Sequence, residues 1–194
     1  PVVIVPQAVQ PVIISARSLE PKQAEPLVLA SCDFPNNTAT QINWFSCNAP
    51  GDTIDVLSVD VTDKSGKTLY PIDPRQPFVL KLTAYNNGPQ YDDNKVDVKL
   101  YEYLSSWSSS KCAWNEVPTF GVLNNIDGCD FANNCPLTQG NLELDILLDL
   151  SQFSSIIDSL AADTPIQLKI VMKDYNPGSK HEEIACVYAQ IRID

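Results

Sequence analysis

The sequence holds one histidine and one methionine among 194 residues. A lone imidazole leaves little material for a His-based catalytic triad or a multi-His metal centre. Cations are scarce too: 13 lysines and arginines face 24 aspartates and glutamates, for a net charge of -11. Nucleic-acid binding needs clustered cations against phosphate, so that partner class is set aside. There is no Gly-rich phosphate loop, no G-x-S-x-G elbow, no H-E-x-x-H and no C-x-x-C. An enzyme is therefore not expected, and neither is a catalytic residue, a cofactor or a metal centre. No apolar run approaches the ~20 residues that carry a helix across a bilayer.

What is present reads as a folded domain. Hydrophobic residues make up 44% and charged residues 19%, a globular balance rather than a disordered one. The length suits one domain with a real core and an extension. The chain opens at Pro1 without an initiator Met or a basic and apolar leader, and is read as a mature or trimmed chain. Six cysteines, Cys32, Cys47, Cys112, Cys129, Cys135 and Cys186, are even in number and widely spaced. They read as a disulfide framework, although six cysteines allow 15 pairings. Oxidised cysteines imply a secreted, lysosomal or other lumenal setting. Asn36-Asn37-Thr38 is a glycosylation sequon, with Asn36 as acceptor.

The chain divides at residue 40. Residues 1–40 form a Pro-rich extension and residues 41–194 the main domain. Pro1, Pro6, Pro11, Pro21 and Pro26 punctuate short apolar pieces, which excludes helix and central strand. Two readings of that segment stand: extended edge pieces lying on the domain, or a loose tail.

Beyond residue 40 the signal is β. Residues 41–47 make a short strand. Leu57, Val59 and Val61 alternate with Ser58 and Asp60 across residues 52–62. Phe78, Leu80, Leu82 and Ala84 alternate with Val79, Lys81, Thr83 and Tyr85, up to the turn Asn86-Asn87-Gly88-Pro89. Val96, Val98 and Leu100 form another apolar row, as do Leu142, Leu144, Ile146, Leu148 and Leu150. Ile166, Leu168, Ile170 and Met172 form the next. Residues 183–193 are apolar on both faces, which places that strand centrally. Residues 151–161 carry apolar side chains at helical spacing behind Ser151, and read as a short helix capped there. About seven period-two strands predict an all-β, immunoglobulin-like sandwich of two sheets.

Polar candidates are few. His181 lies in a polar loop. Asp92-Asp93 and Glu182-Glu183 lack the ligand spacing of a Ca²⁺ loop and read as solvated acidic turns. The aromatics say more. Trp44 and Phe45 lie in the first strand, and Trp107 and Trp114 bracket a Ser-rich stretch. The apolar run from Val117 through Phe120 to Leu123 falls in a loop. It either folds over the sandwich end as core or binds something.

The strongest pattern is Ile126-Asp127-Gly128-Cys129-Asp130-Phe131-Ala132-Asn133-Asn134-Cys135-Pro136-Leu137, with Gly140 after it. An alternating strand comes next, and Cys186 lies in the last strand. Phe45-Ser46-Cys47, with Ile54 to Val59 after it, supplies an opening strand and cysteine. Tyr70-Pro71-Ile72-Asp73-Pro74 adds a proline-containing segment. Together these resemble the ML (lipid-recognition) family, which includes Niemann–Pick type sterol-transfer proteins and ganglioside activator proteins. The resemblance covers roughly residues 41–194.

The resemblance implies Cys47–Cys186 and Cys129–Cys135 disulfides, and leaves Cys32 with Cys112. It implies sheets that splay to leave an apolar cavity for a sterol, fatty acid, phospholipid or glycolipid. The walls would be Phe78, Leu80, Leu82, Val96, Val98, Leu100, Leu144, Ile146, Leu148, Ile166, Leu168 and Ile170. The entrance would be Val117, Phe120 and Leu123 with Trp107 and Trp114. A monomer that touches membranes transiently is expected. The competing expectation is an immunoglobulin-like extracellular interaction module with a filled core. Cys32, Trp44 and Cys112 echo its Cys–Trp–Cys spacing, but Ser110 stands where its corner Tyr belongs.

Overall fold

A computed structural model describes residues 32–47, 49–106, 109–160 and 163–194. Among the described residues the fold is an all-β sandwich of nine strands with short helical pieces. The strands are β1 (Asn43–Ser46), β2 (Ile54–Thr62), β3 (Phe78–Asn86), β4 (Asn94–Ser106), β5 (Ser109–Val117), β6 (Ile126–Asp127), β7 (Gly140–Leu148), β8 (Pro165–Asp174) and β9 (Glu183–Arg192). One sheet runs β1-β9-β8-β4-β5, with β6 beside β4; the other runs β2-β3-β7. All the strand pairs are antiparallel. The doubly apolar β9 lies between β1 and β8, as its composition predicts.

Period-two patterning explains most faces, and one irregularity explains an exception. Ile54 and Val56 point inward, and so do Val59 and Val61. Those pairs are out of phase by one residue. A register shift between Val56 and Ser58 absorbs the difference, as a β-bulge does. Leu57 is the extra residue and is 59% exposed, so its expected place on the apolar row is corrected.

Strand flanks the Ser-rich stretch on both sides. β4 continues to Ser106 and returns as β5, with Leu100 opposite Val117 and Tyr103 opposite Trp114. The helical stretch is also shorter than expected. Ser151–Phe153 is a 3-10 turn, and α2 spans Ser154–Ile157. Ser151 caps neither; instead Asp149 Oδ1 accepts from the Ser151 N–H at 3.0 Å. A further helix, α1 (Gly128–Ala132), occupies the D-G-C motif, and Asp127 caps it by accepting from the Asp130 N–H.

Three disulfides tie the fold: Cys32–Cys112, Cys47–Cys186 and Cys129–Cys135. This is the pairing that the resemblance implies. Such bonds fit an extracellular or lumenal protein. Cys32–Cys112 does not bridge the two sheets. It fastens the segment before β1 to the β4–β5 hairpin. There Thr38 is fully buried, Tyr70 donates its hydroxyl to the Thr38 carbonyl, and the Arg192 guanidinium lies over the Phe34 ring. Residues 32–40 thus pack on the sandwich. The Pro-rich pieces before them lie outside the described residues.

Candidate functional site

The two sheets meet as packed core at each end and part between. At one end Val61, Phe78, Leu100, Leu123, Ile166 and Ile191 are buried together. At the other, Ile54, Ala84, Tyr91, Leu137, Leu142 and Ala185 are buried together. In the middle, the inward residues Leu80, Leu82, Val98, Leu144, Leu168, Ile170 and Val187 are only half-buried. Their side chains line a cavity of about 330 Å³. In an interdigitated sandwich ~10 Å thick those rows would touch.

Strand alternation places the wall. Phe78, Leu80 and Leu82 come from β3, and Val96, Val98 and Leu100 from β4. Leu144, Ile146 and Leu148 come from β7, and Ile166, Leu168 and Ile170 from β8. All of them line the cavity. Among the described residues, none of those lining the cavity is charged, and Asn134 is the one with a polar side chain.

The two long edges of the sandwich differ. Along one, β2 lies against β9 and β1, and the Thr53 N–H donates to the Ile184 carbonyl at 3.0 Å. Along the other, β7 is the last strand of its sheet, and α1 touches β7, β4 and β6. Phe131 on α1 meets Phe153 edge-on, with centroids 5.7 Å apart. Both rings line the cavity.

The residues expected at an entrance scatter. Leu123 lines the cavity and is buried. Val117 ends β5 and packs beside the larger buried cluster. Phe120 sits at the loop tip, 95% exposed, in left-handed backbone at φ 50°. Val122 beside it is also exposed. Trp114 is corrected. It lies on the same face as Tyr103, ring centroids 4.9 Å apart. Leu100 and Val117 face the core, so residues an odd step away face outward. Trp107 lies outside the described residues.

Sequence reasoning missed Phe131, Phe153, Val187 and Asn134. Val187 was readable from the alternation Ala185, Val187, Ala189 and Ile191. Phe131 and Asn134 stand inside the cysteine motif, where nothing local marks them as wall.

Ionisable groups lie outside the cavity. Asp52 and Glu183 place their carboxyl groups in hydrogen-bonding contact. Burial pushes both above the ordinary carboxylate range, and the Asp52 charge adds to the rise at Glu183. Asp52 Oδ1 is buried without a hydrogen-bond partner. Glu183 opens β9 and is half-buried, which corrects its reading as part of a solvated turn. Burial also pushes Asp97 up, but the Lys173 ammonium at 2.6 Å and the Asn125 N–H outweigh it and hold that carboxyl low. His181 is exposed and stacks on Tyr175 at 4.0 Å. Asp93, Asp127 and Cys129 bring ligand-type atoms within 4.8 Å of one another. The Cys129 sulfur is bonded to Cys135, which leaves two carboxylates, fewer ligands than a calcium site takes. The sequon residue Asn36 is exposed, and its Nδ2 donates to Gln190 Oε1 at 2.7 Å.

No protein-family model matches the chain, and no curated protein matches it. Among solved structures it is similar to the crystal structure of the C-terminal domain of Wzt, with 6% identity and a TM-score of 0.38 over 83% of this chain and 84% of that one. Likeness at that level carries nothing about function, which has to be argued from the cavity.

Proposed function

We propose that this chain is a secreted or lysosomal lipid-binding protein that holds the apolar part of a lipid between its two sheets. The candidates are a sterol, a fatty acid, a phospholipid and a glycolipid. The observation that carries this reading is the uncharged, apolar cavity between rows of half-buried side chains. Its 330 Å³ falls among small-molecule pockets, which run from about 300 to 1,000 Å³. A lipid tail entering it gains about 0.8 kcal/mol for each buried CH₂. The resemblance of the D-G-C and C-P skeleton to the ML family supports the same function.

Transfer needs a route between membrane and cavity. The Phe120 and Val122 tip is exposed and apolar, and Leu123 next to it lines the cavity. We assign transient membrane contact to that tip and passage of the tail to the side of the cavity where Phe131 and Phe153 meet. Asn36 is the glycan acceptor, since one N–H remains for Gln190 once the other is substituted. Uptake of labelled sterol, fatty acid, phospholipid and glycolipid from vesicles tests the function. The folded protein takes up at least one of them; failure with all four overturns the reading.

A further inference from the structure

The lipid-binding reading says nothing about polarity within the cavity, and the wall there has one feature. Asn134 is 4% exposed and lines the cavity among apolar side chains. It is not free to turn away. Asn94, 0% exposed, donates from Nδ2 to Asn134 Oδ1 at 3.0 Å. The same Asn94 nitrogen lies 3.1 Å from Cys135 Sγ. With its oxygen held, the Asn134 carboxamide turns Nδ2 toward Gly128, which also lines the cavity. A Cβ on Gly128 would stand 2.0 Å from Asn94 Oδ1 and 3.2 Å from Asn134 Nδ2. Glycine is what leaves room for this pair. Asn94 Oδ1, buried behind Gly128, has no hydrogen-bond partner among the described residues.

A buried carboxamide in an apolar wall costs free energy unless its polar atoms find partners. Among the described residues none that lines the cavity is charged, so a carboxylate or phosphate inside would find no counter-ion among them. We infer that Asn134 is the polarity-determining residue of the cavity: its Nδ2 donates to one neutral oxygen, a hydroxyl or carbonyl, on an otherwise apolar lipid. This rests on the lipid-binding reading and narrows it. Charged headgroups stay outside, and lipids with a single uncharged oxygen in the buried part are preferred over hydrocarbons of the same length.

The test compares 1-hexadecanol with hexadecane, each delivered from cyclodextrin, as competitors of N-phenyl-1-naphthylamine bound to the full chain. Equal chain length keeps the apolar contribution constant. In Asn134→Leu the affinity ratio of alcohol to alkane falls about tenfold, because the ligand hydroxyl loses its partner. A ratio unchanged by the substitution overturns the inference while leaving lipid binding intact. If neither compound displaces the probe from wild-type protein, this inference fails, while the lipid-binding reading falls only if uptake of sterol, fatty acid, phospholipid and glycolipid fails as well. Asn134→Leu also strips Asn94 of its acceptor, so a second measurement on wild-type protein guards against misfolding. The Asn134 side-chain amide resonances shift with 1-hexadecanol and stay in place with hexadecane. Equal shifts with both ligands count against the inference.

Discussion

Gly128 sits where a side chain has no room. A Cβ there would lie 2.0 Å from the oxygen of the buried Asn94. Gly128→Ala should cost about 1–3 kcal/mol by overpacking, read as a lower urea midpoint with unchanged slope. Phe120 is the opposite case. At 95% exposure, Phe120→Ser should leave stability within about 0.5 kcal/mol. It should also weaken association with neutral vesicles in a co-sedimentation assay. Asp52 and Glu183 make a pH prediction with a definite sign. Both carboxyls titrate above their ordinary range in the folded state. The folded protein therefore binds their protons more readily than the unfolded chain. The stabilisation is full below the ordinary carboxylate range and is lost as pH rises through the raised values. At neutral pH the pair is a net cost. Asp52→Asn should raise stability at pH 7 and change it little at pH 4, by urea unfolding at each pH. An equal change at both would contradict the assignment.

At the scale of elements, three crosslinks of very different span hold the sandwich. Cys47–Cys186 closes 139 residues and Cys129–Cys135 only 6. The chain-entropy model gives about 5 kcal/mol for the first and about 2 for the second. Replacing both cysteines of each pair by serine should reproduce that order in denaturation midpoints. The cysteine motif, the period-two rows and central β9 were all legible in the sequence, because burial and alternation are local signals. Three features were not. The bulge at Leu57 appears only when two pairs out of phase with each other, Ile54 with Val56 and Val59 with Val61, must face the same core across β3. The Ser-rich end of the β4–β5 hairpin, beyond Leu100, lacks an apolar row, and its strands are held by pairing and by Cys112. The aromatic contact of Phe131 with Phe153 joins residues 22 positions apart in the chain. Their separate surroundings, a cysteine motif and a 3-10 turn, give no hint that they meet.

On the scale of the whole molecule, a charge of -11 surrounds an uncharged interior. The surface charge repels anionic membranes at neutral pH. Protonation of carboxylates in an acidic lumen relaxes that repulsion, so binding to anionic vesicles should be stronger at pH 5 than at pH 7. Equal binding at both would count against a role for the charge. The interior makes the more direct claim, that the gap between the sheets is a lipid site. Native mass spectrometry of detergent-free protein, followed by solvent extraction, tests it in one measurement. The account predicts a folded protein carrying one extractable lipid, reduced or lost when Val98→Phe and Leu168→Phe together fill the cavity. A folded wild-type protein that carries no lipid and acquires none on incubation with sterol, fatty acid, phospholipid or glycolipid would contradict it.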